Sequence, residues 1–256
     1  MTSHLPKIGG DPPLAAAIFD AGLTLIESST PPEEVARLAL AQGGDIVDEA
    51  TLAAIMSGAQ NEVESMWHRH DWWSSESEVR RLFTTAYERS LSDRLGAHHP
   101  PTWAADAAHR IYDEYQDTRH WRLFGDVLPT LSALRASGVR MGVVSDWGHG
   151  LEAILLELEL GRYFEFLVVS SRLGVAKPDP RVFAMALARI GARAEESVYV
   201  GDTYVKDVMG ARAAGITPIL LDRTGGAPAL DCLSIRTLHD LLDLVGVDAT
   251  RPEALS

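Results

Sequence analysis

Leu14-Ala15-Ala16-Ala17-Ile18-Phe19-Asp20-Ala21-Gly22-Leu23-Thr24 opens on six apolar residues and closes on an acid, a glycine and a hydroxyl. The run has no polar–apolar alternation, which is the pattern of a strand covered on both faces of a parallel sheet. Four later runs share it: Val139–Val144, Phe166–Val169, Ser197–Val200 and Ile216–Leu221. Helical patterns join them. Asp126–Ser137 precedes the second run, and Gly148–Leu160, ended by Gly161, precedes the third. Pro180–Ile190 leads to the fourth, with Asp179 as its cap, Pro180 at its first position and Gly191 past its end. Val205–Ala214, closed by Gly215, leads to the fifth. This alternation predicts right-handed crossovers and a doubly wound, Rossmann-like α/β sheet.

Between the first and second runs the pattern changes. Pro31–Gln42, Asp48–His68, Glu76–Leu95 and Pro101–Trp121 all read as helices, and Ser75 with Glu78 has the spacing of a capping box. So much helix is too long for a single crossover. It predicts an all-helical cap over residues 28–121, with residues 1–27 and 122–256 forming the core domain.

Composition sets outer bounds. The 256 residues, 46% hydrophobic and 23% charged, suit a globular chain with a sizeable core. A formal net charge of −13 argues against nucleic acid and anionic membrane as partners. No stretch has the apolar length of a membrane span. Met1–Pro13 reads as a loose leader rather than a secretory signal, and the tail after Leu244 reads as polar and frayed. Cys232 is the single cysteine, which excludes an intrachain disulfide. A cytoplasmic monomer or homodimer acting on a small molecule is the expectation.

In open α/β sheets, ligands bind beyond the carboxyl ends of the strands. Those ends read Phe19-Asp20-Ala21-Gly22-Leu23-Thr24, Val144-Ser145-Asp146 and Val200-Gly201-Asp202, with Asp207 just beyond. Lys177 lies in Gly174-Val175-Ala176-Lys177-Pro178-Asp179, after the third strand. Three acids, a lysine and a hydroxyl suit a hard cation such as Mg²⁺ together with a phosphoryl group.

These four segments, with Gly210-Ala211-Arg212-Ala213-Ala214-Gly215, resemble the four motifs of the haloacid dehalogenase superfamily. The helical insert after the first motif resembles the branch with a helical cap. The resemblance implies that Asp20 is the nucleophile, forming an aspartyl-phosphate. It implies that Thr24, Ser145, Asp146 and Lys177 bind phosphate, with Lys177 also neutralising charge in catalysis. Mg²⁺ would be held by Asp20, Asp202 and the main-chain carbonyl of Gly22, with Asp207 supporting the metal or Lys177. The implied activity is a Mg²⁺-dependent hydrolase of a small phosphorylated metabolite.

The motif departs from the family in three places. Phosphatases of the superfamily have a second Asp, the general acid–base, where this chain has Gly22, and Gly where it has Leu23. Asp146 replaces the Asn of many relatives and adds negative charge near the phosphate. General acid help is worth ~10²–10⁴-fold, so alkyl phosphates are expected to be poor substrates. His149, Asp146, His68 and His70 are candidate replacements. The other readings are a phosphonatase- or dehalogenase-type hydrolase, or an inactive relative kept for binding or regulation.

Substrate choice is expected from the cap, where Trp67-His68-Arg69-His70-Asp71-Trp72-Trp73 is the unusual segment. His68, Arg69 and Trp72, with His149 from the core, are the candidate specificity residues. The competing reading puts the tryptophans in the cap core and the histidines in solvent.

Overall fold

The computed structural model describes residues 13–67, 72–228 and 230–247. The first elements are β1 (Ala16–Phe19), β2 (Ile26–Ser28), α1 (Pro32–Gln42), α2 (Glu49–Trp67), α3 (Glu76–Leu95), α4 (Trp103–Tyr115) and β3 (Trp121–Leu123). They are followed by α5 (Val127–Ala136), β4 (Arg140–Ser145), α6 (Leu151–Glu157), β5 (Phe166–Val169), α7 (Ser170–Leu173) and α8 (Pro180–Ile190). The chain continues through β6 (Ser197–Gly201), α9 (Gly210–Ala213), β7 (Thr217–Leu221), β8 (Leu233–Ile235) and α10 (Leu238–Val245). The expected leader, residues 68–71 and the end of the expected tail lie outside the described residues.

Six strands form one sheet in the order β5-β4-β1-β6-β7-β8, parallel at every pairing. The five apolar runs supply five of these strands. β8 escapes a sequence reading because three residues show no period; it is a strand because Leu220 and Leu221 give it an edge to pair with. Side chains alternate across the sheet. Ala17 and Phe19 face a core shared with α5, α6 and α10, while Ile18 joins Val144, Tyr199 and Phe183 of α8 on the other face.

The four long helices α1–α4 bury a cluster of their own, including Ala39, Ile55, Leu91 and Ile111. Ser75 caps α3 by accepting from the Glu78 amide at 3.2 Å. The helix expected over Pro101–Trp121 stops at Tyr115. A 3₁₀ turn follows, capped by the Asp117 carboxylate on the Arg119 amide, and Trp121–Leu123 is then recruited as β3. Its partner is β2, antiparallel, with Ile26 opposite Leu123 and Ser28 opposite Trp121. Tertiary pairing thus overrides a local helical pattern at the point where the chain leaves and rejoins the sheet region.

The topology decides where chemistry can occur. From β1 the chain builds outward through β4 and β5, then crosses back to β6 on the other side of β1. The carboxyl ends of β1, β4 and β6 therefore flank a crevice at the switch point, where open α/β sheets bind ligands.

Candidate active site

Asp20 follows the last residue of β1, its amide donating to the Val200 carbonyl at 2.9 Å. Oδ1 accepts from Ser145 Oγ at 3.0 Å and from Lys177 Nζ at 2.7 Å. No hydrogen bond among the described residues reaches Oδ2. Burial pushes the carboxyl up to about 7; Lys177 opposes this, while Asp207 and Asp202 add to it. The group sits under strain between desolvation and its cation.

Lys177 is buried and also donates to Asp207 Oδ1 at 2.6 Å and to the Tyr199 hydroxyl at 3.2 Å. Burial would lower its ammonium, but the carboxylates of Asp20 and Asp207 outweigh that and hold it well above its ordinary value. Tyr199 in turn donates to the Val144 carbonyl at 2.9 Å. Asp207 has its other oxygen on the Thr203 amide at 2.9 Å. It comes this close to the sheet because position 201 is glycine: a Cβ there would lie 2.3 Å from Asp207 Cγ.

Asp20, Asp202 and Asp207 offer carboxylate oxygens that lie within 4.8 Å of one another. Burial and the neighbouring Asp207 raise the Asp202 carboxyl above its ordinary value. Clustered carboxylates that resist ionisation together lack positive charge. Oxygen donors of this kind suit a hard divalent cation. Asp207 is engaged by Lys177, Tyr199 and Thr203, so Asp20 and Asp202 are the acids that could reach a cation.

The remaining expected residues divide. Gly22, Ser145, Asp146, Lys177 and Asp202 line the same cleft as Asp20. Thr24 does not line it; the residue is fully buried and its hydroxyl has no partner among the described residues. Its carbonyl instead accepts from Arg223 at 2.8 Å. His149 is exposed, bonded to Glu76 at 2.9 Å, and outside the cleft lining. Trp72 is packed against Met66, Leu82 and Ala86 with its indole donating to the Met66 carbonyl at 2.9 Å, so it belongs to the cap's interior and its neighbour Trp73 faces the cleft. Burying an apolar ring outweighs exposing it to a polar cleft. His68, Arg69, His70 and Asp71 lie outside the described residues.

Among the cleft residues, Lys206, Trp121 and Trp147 were not singled out from sequence, whereas Trp73 belongs to the unusual cap segment. Lys206 Nζ lies 3.3 Å from the Asp146 carboxylate, and its ammonium sits 4.7 Å from the Trp73 ring centroid. The extra charge expected from Asp146 is therefore offset by a lysine four residues after Asp202. Burial lowers that lysine from its ordinary value. Trp73, Trp121 and Trp147 form walls of the cleft. Trp147 directly follows Ser145-Asp146, and that adjacency was the available signal. Leu23, where the resemblance expects glycine, takes a left-handed φ of 55°.

A carboxylate, a buried lysine, a hydroxyl and paired acids thus meet at adjoining strand ends. Glyceraldehyde 3-phosphate phosphatase of Methanopyrus kandleri is 31% identical over 217 residues, covering 82% of this chain and 84% of that protein. Haloacid dehalogenase-like hydrolase domain-containing protein 3 of Danio rerio is 40% identical over 146 residues, 57% of this chain and 60% of that protein. The chain thus spans about 60% of the latter's length. The 2-haloacid dehalogenase structure from Pseudomonas syringae pv. Tomato DC3000 is 25% identical, with a TM-score of 0.64 covering 91% of this chain and 98% of that one. Residues 14–215 match the family described as haloacid dehalogenase-like hydrolase, and this chain belongs to that family.

Proposed function

We propose that the chain is a Mg²⁺-dependent phosphatase of a small phosphorylated metabolite, with Asp20 as the nucleophile. The observation that supports this best is the Asp20 carboxylate bonded to both Lys177 and Ser145 beside Asp202. The phosphatase named among the relatives agrees with it. Asp20, Asp202 and the Gly22 carbonyl would hold the metal, which when bound neutralises the acids and polarises a phosphoryl oxygen.

The chain's own residues divide the remaining work. Lys177 holds Asp20 in place and offsets charge on the transferring group. Asp207 and Tyr199 keep Lys177 there, and Ser145 offers its hydroxyl to a phosphoryl oxygen. Residues 28–121 act as a cap whose closure excludes water. The reading predicts that an activated aryl phosphate is hydrolysed only with Mg²⁺ and that Asp20→Asn abolishes turnover. Equal rates for wild type and Asp20→Asn would defeat it, and metal-independent halide release from a 2-haloacid would favour a dehalogenase instead.

A further inference from the structure

Gly22 lines the cleft next to the nucleophile, and its backbone is not in the left-handed region, so the main chain there would accept a side chain. What prevents one is Trp147. A Cβ at position 22 would lie 2.8 Å from Trp147 Cζ3. That ring packs on Trp121, edge-on with centroids 4.8 Å apart and planes at 70°. The space beside Asp20 that an acid could use is therefore filled by the carbon edge of an indole, whose one N–H is far too weak an acid to serve as a general acid.

The same ring borders a second space. Trp73, Phe83, Tyr112, Tyr115, Trp121 and Trp147 surround a cavity of about 340 Å³ that shares Trp73, Trp121, Asp146 and Trp147 with the Asp20 cleft. A dry apolar cavity of roughly 150 Å³ already admits benzene. The single charged residue among its described walls is Asp146, which Lys206 offsets at 3.3 Å. Aromatic side chains placed only to glue helices to the sheet would pack this space shut.

We propose that the substrates are aryl phosphomonoesters, with the ring seated among Trp73, Trp121 and Trp147. Trp147 both forms that seat and, by excluding a side chain at position 22, restricts the enzyme to leaving groups that depart without a proton. The proposal rests on Asp20 being the nucleophile. A phenol ionises near pH 10, whereas an alkanol resembles water at about 15.7. An aryl oxide can thus leave unassisted where an alkoxide cannot. In the first step a bond forms between an Asp20 oxygen and phosphorus while the P–O(aryl) bond breaks, its electron pair leaving on the aryl oxygen. Water then cleaves the aspartyl-phosphate. Its two protons end on the phenol and on hydrogen phosphate, and the Asp20 carboxylate is restored.

The test compares phenyl phosphate with cyclohexyl phosphate, which match in size, using the full chain with Mg²⁺. We expect kcat/KM to favour phenyl phosphate by ~100-fold or more. Calorimetry should find phenylphosphonate bound ~10-fold more tightly than cyclohexylphosphonate, with the difference lost in Trp147→Leu and retained in Trp147→Phe. Gly22→Asp alone should not gain cyclohexyl phosphate hydrolysis, whereas Gly22→Asp with Trp147→Ala should. Comparable wild-type rates on the two esters would overturn the proposal while leaving the phosphatase reading intact. Turnover of neither ester would instead defeat that underlying reading. A double variant that still hydrolyses phenyl phosphate yet gains nothing on cyclohexyl phosphate would remove Trp147 from its role.

Discussion

At the scale of single residues, Leu23 and Asp146 stand beside Gly22 as departures from the expected motif, and each is accommodated differently. Leu23 holds a left-handed φ of 55° while 60% exposed, a conformation that costs an L-residue roughly 1–2 kcal/mol. Gly at this position removes that strain but gives back unfolded-chain entropy of about 0.4–1 kcal/mol. Leu23→Gly should therefore raise unfolding stability by up to ~1.6 kcal/mol, measured by urea denaturation. Asp146 is accommodated by charge, with Lys206 3.3 Å away. Lys206→Met should raise KM for the phosphate ester ~10-fold, and adding Asp146→Asn should restore most of it, because the two residues act as a pair. An additive double variant would mean that Lys206 binds substrate independently of Asp146.

At the scale of elements, Asp126 ties three segments together just before α5. Its carboxylate accepts from Arg223 at 2.9 and 3.0 Å and from the Leu238 amide opening α10 at 2.8 Å. Burial raises this carboxyl, but the Arg223 and Leu238 hydrogen bonds outweigh burial and hold it below its ordinary value of 3.8. A carboxyl depressed in the folded state contributes stability above its unfolded value and loses it as pH falls. The contribution should thus be complete by about pH 5 and fade below pH 4 toward the folded value. Asp126→Asn should cost about 1–3 kcal/mol at neutral pH and flatten the acid limb of the stability curve. Denaturation at several pH values checks this; parallel curves for variant and wild type would assign the acid sensitivity elsewhere.

At the scale of the whole molecule, the helical layer meets the sheet domain through few polar ties. Glu76 of α3 takes His149 at 2.9 Å, and the Gln116 side chain after α4 accepts from the Gly150 amide at 3.2 Å. The Trp72–Ser74 turn and α3 rest on α7. An exposed ion pair is worth ~0.2–1 kcal/mol, enough to bias the proposed cap closure about 1.5- to 5-fold without locking it. His149→Ala should raise KM by that factor while kcat stays within about twofold. A large loss of kcat would make His149 the missing proton donor, despite its position outside the cleft lining.

Much of this was legible in the chain itself. Buried parallel strands announce themselves as unbroken apolar runs, and a chemistry-bearing residue at the end of each run follows from where open sheets bind ligands. Asp20, Ser145, Lys177, Asp202 and Asp207 were found that way, because their positions are set by local pattern and chain order. The absence of a side chain at Gly22 was equally plain. What occupies that absence was not: only packing brings Trp147 against Gly22, more than a hundred residues earlier in the chain, and Trp121 against Trp147. Only packing buries Trp72 while leaving Trp73 in the cleft, since neighbouring residues in a turn differ by direction alone. It also turns Trp121 from the end of an expected helix into a strand, and pairs Lys206 with Asp146. Sequence determined the fold and the place of Asp20 at a buried strand's end, since both follow from periodicity and strand order; the tertiary structure decided the walls of the cleft, since side-chain direction and long-range contact have no period to read.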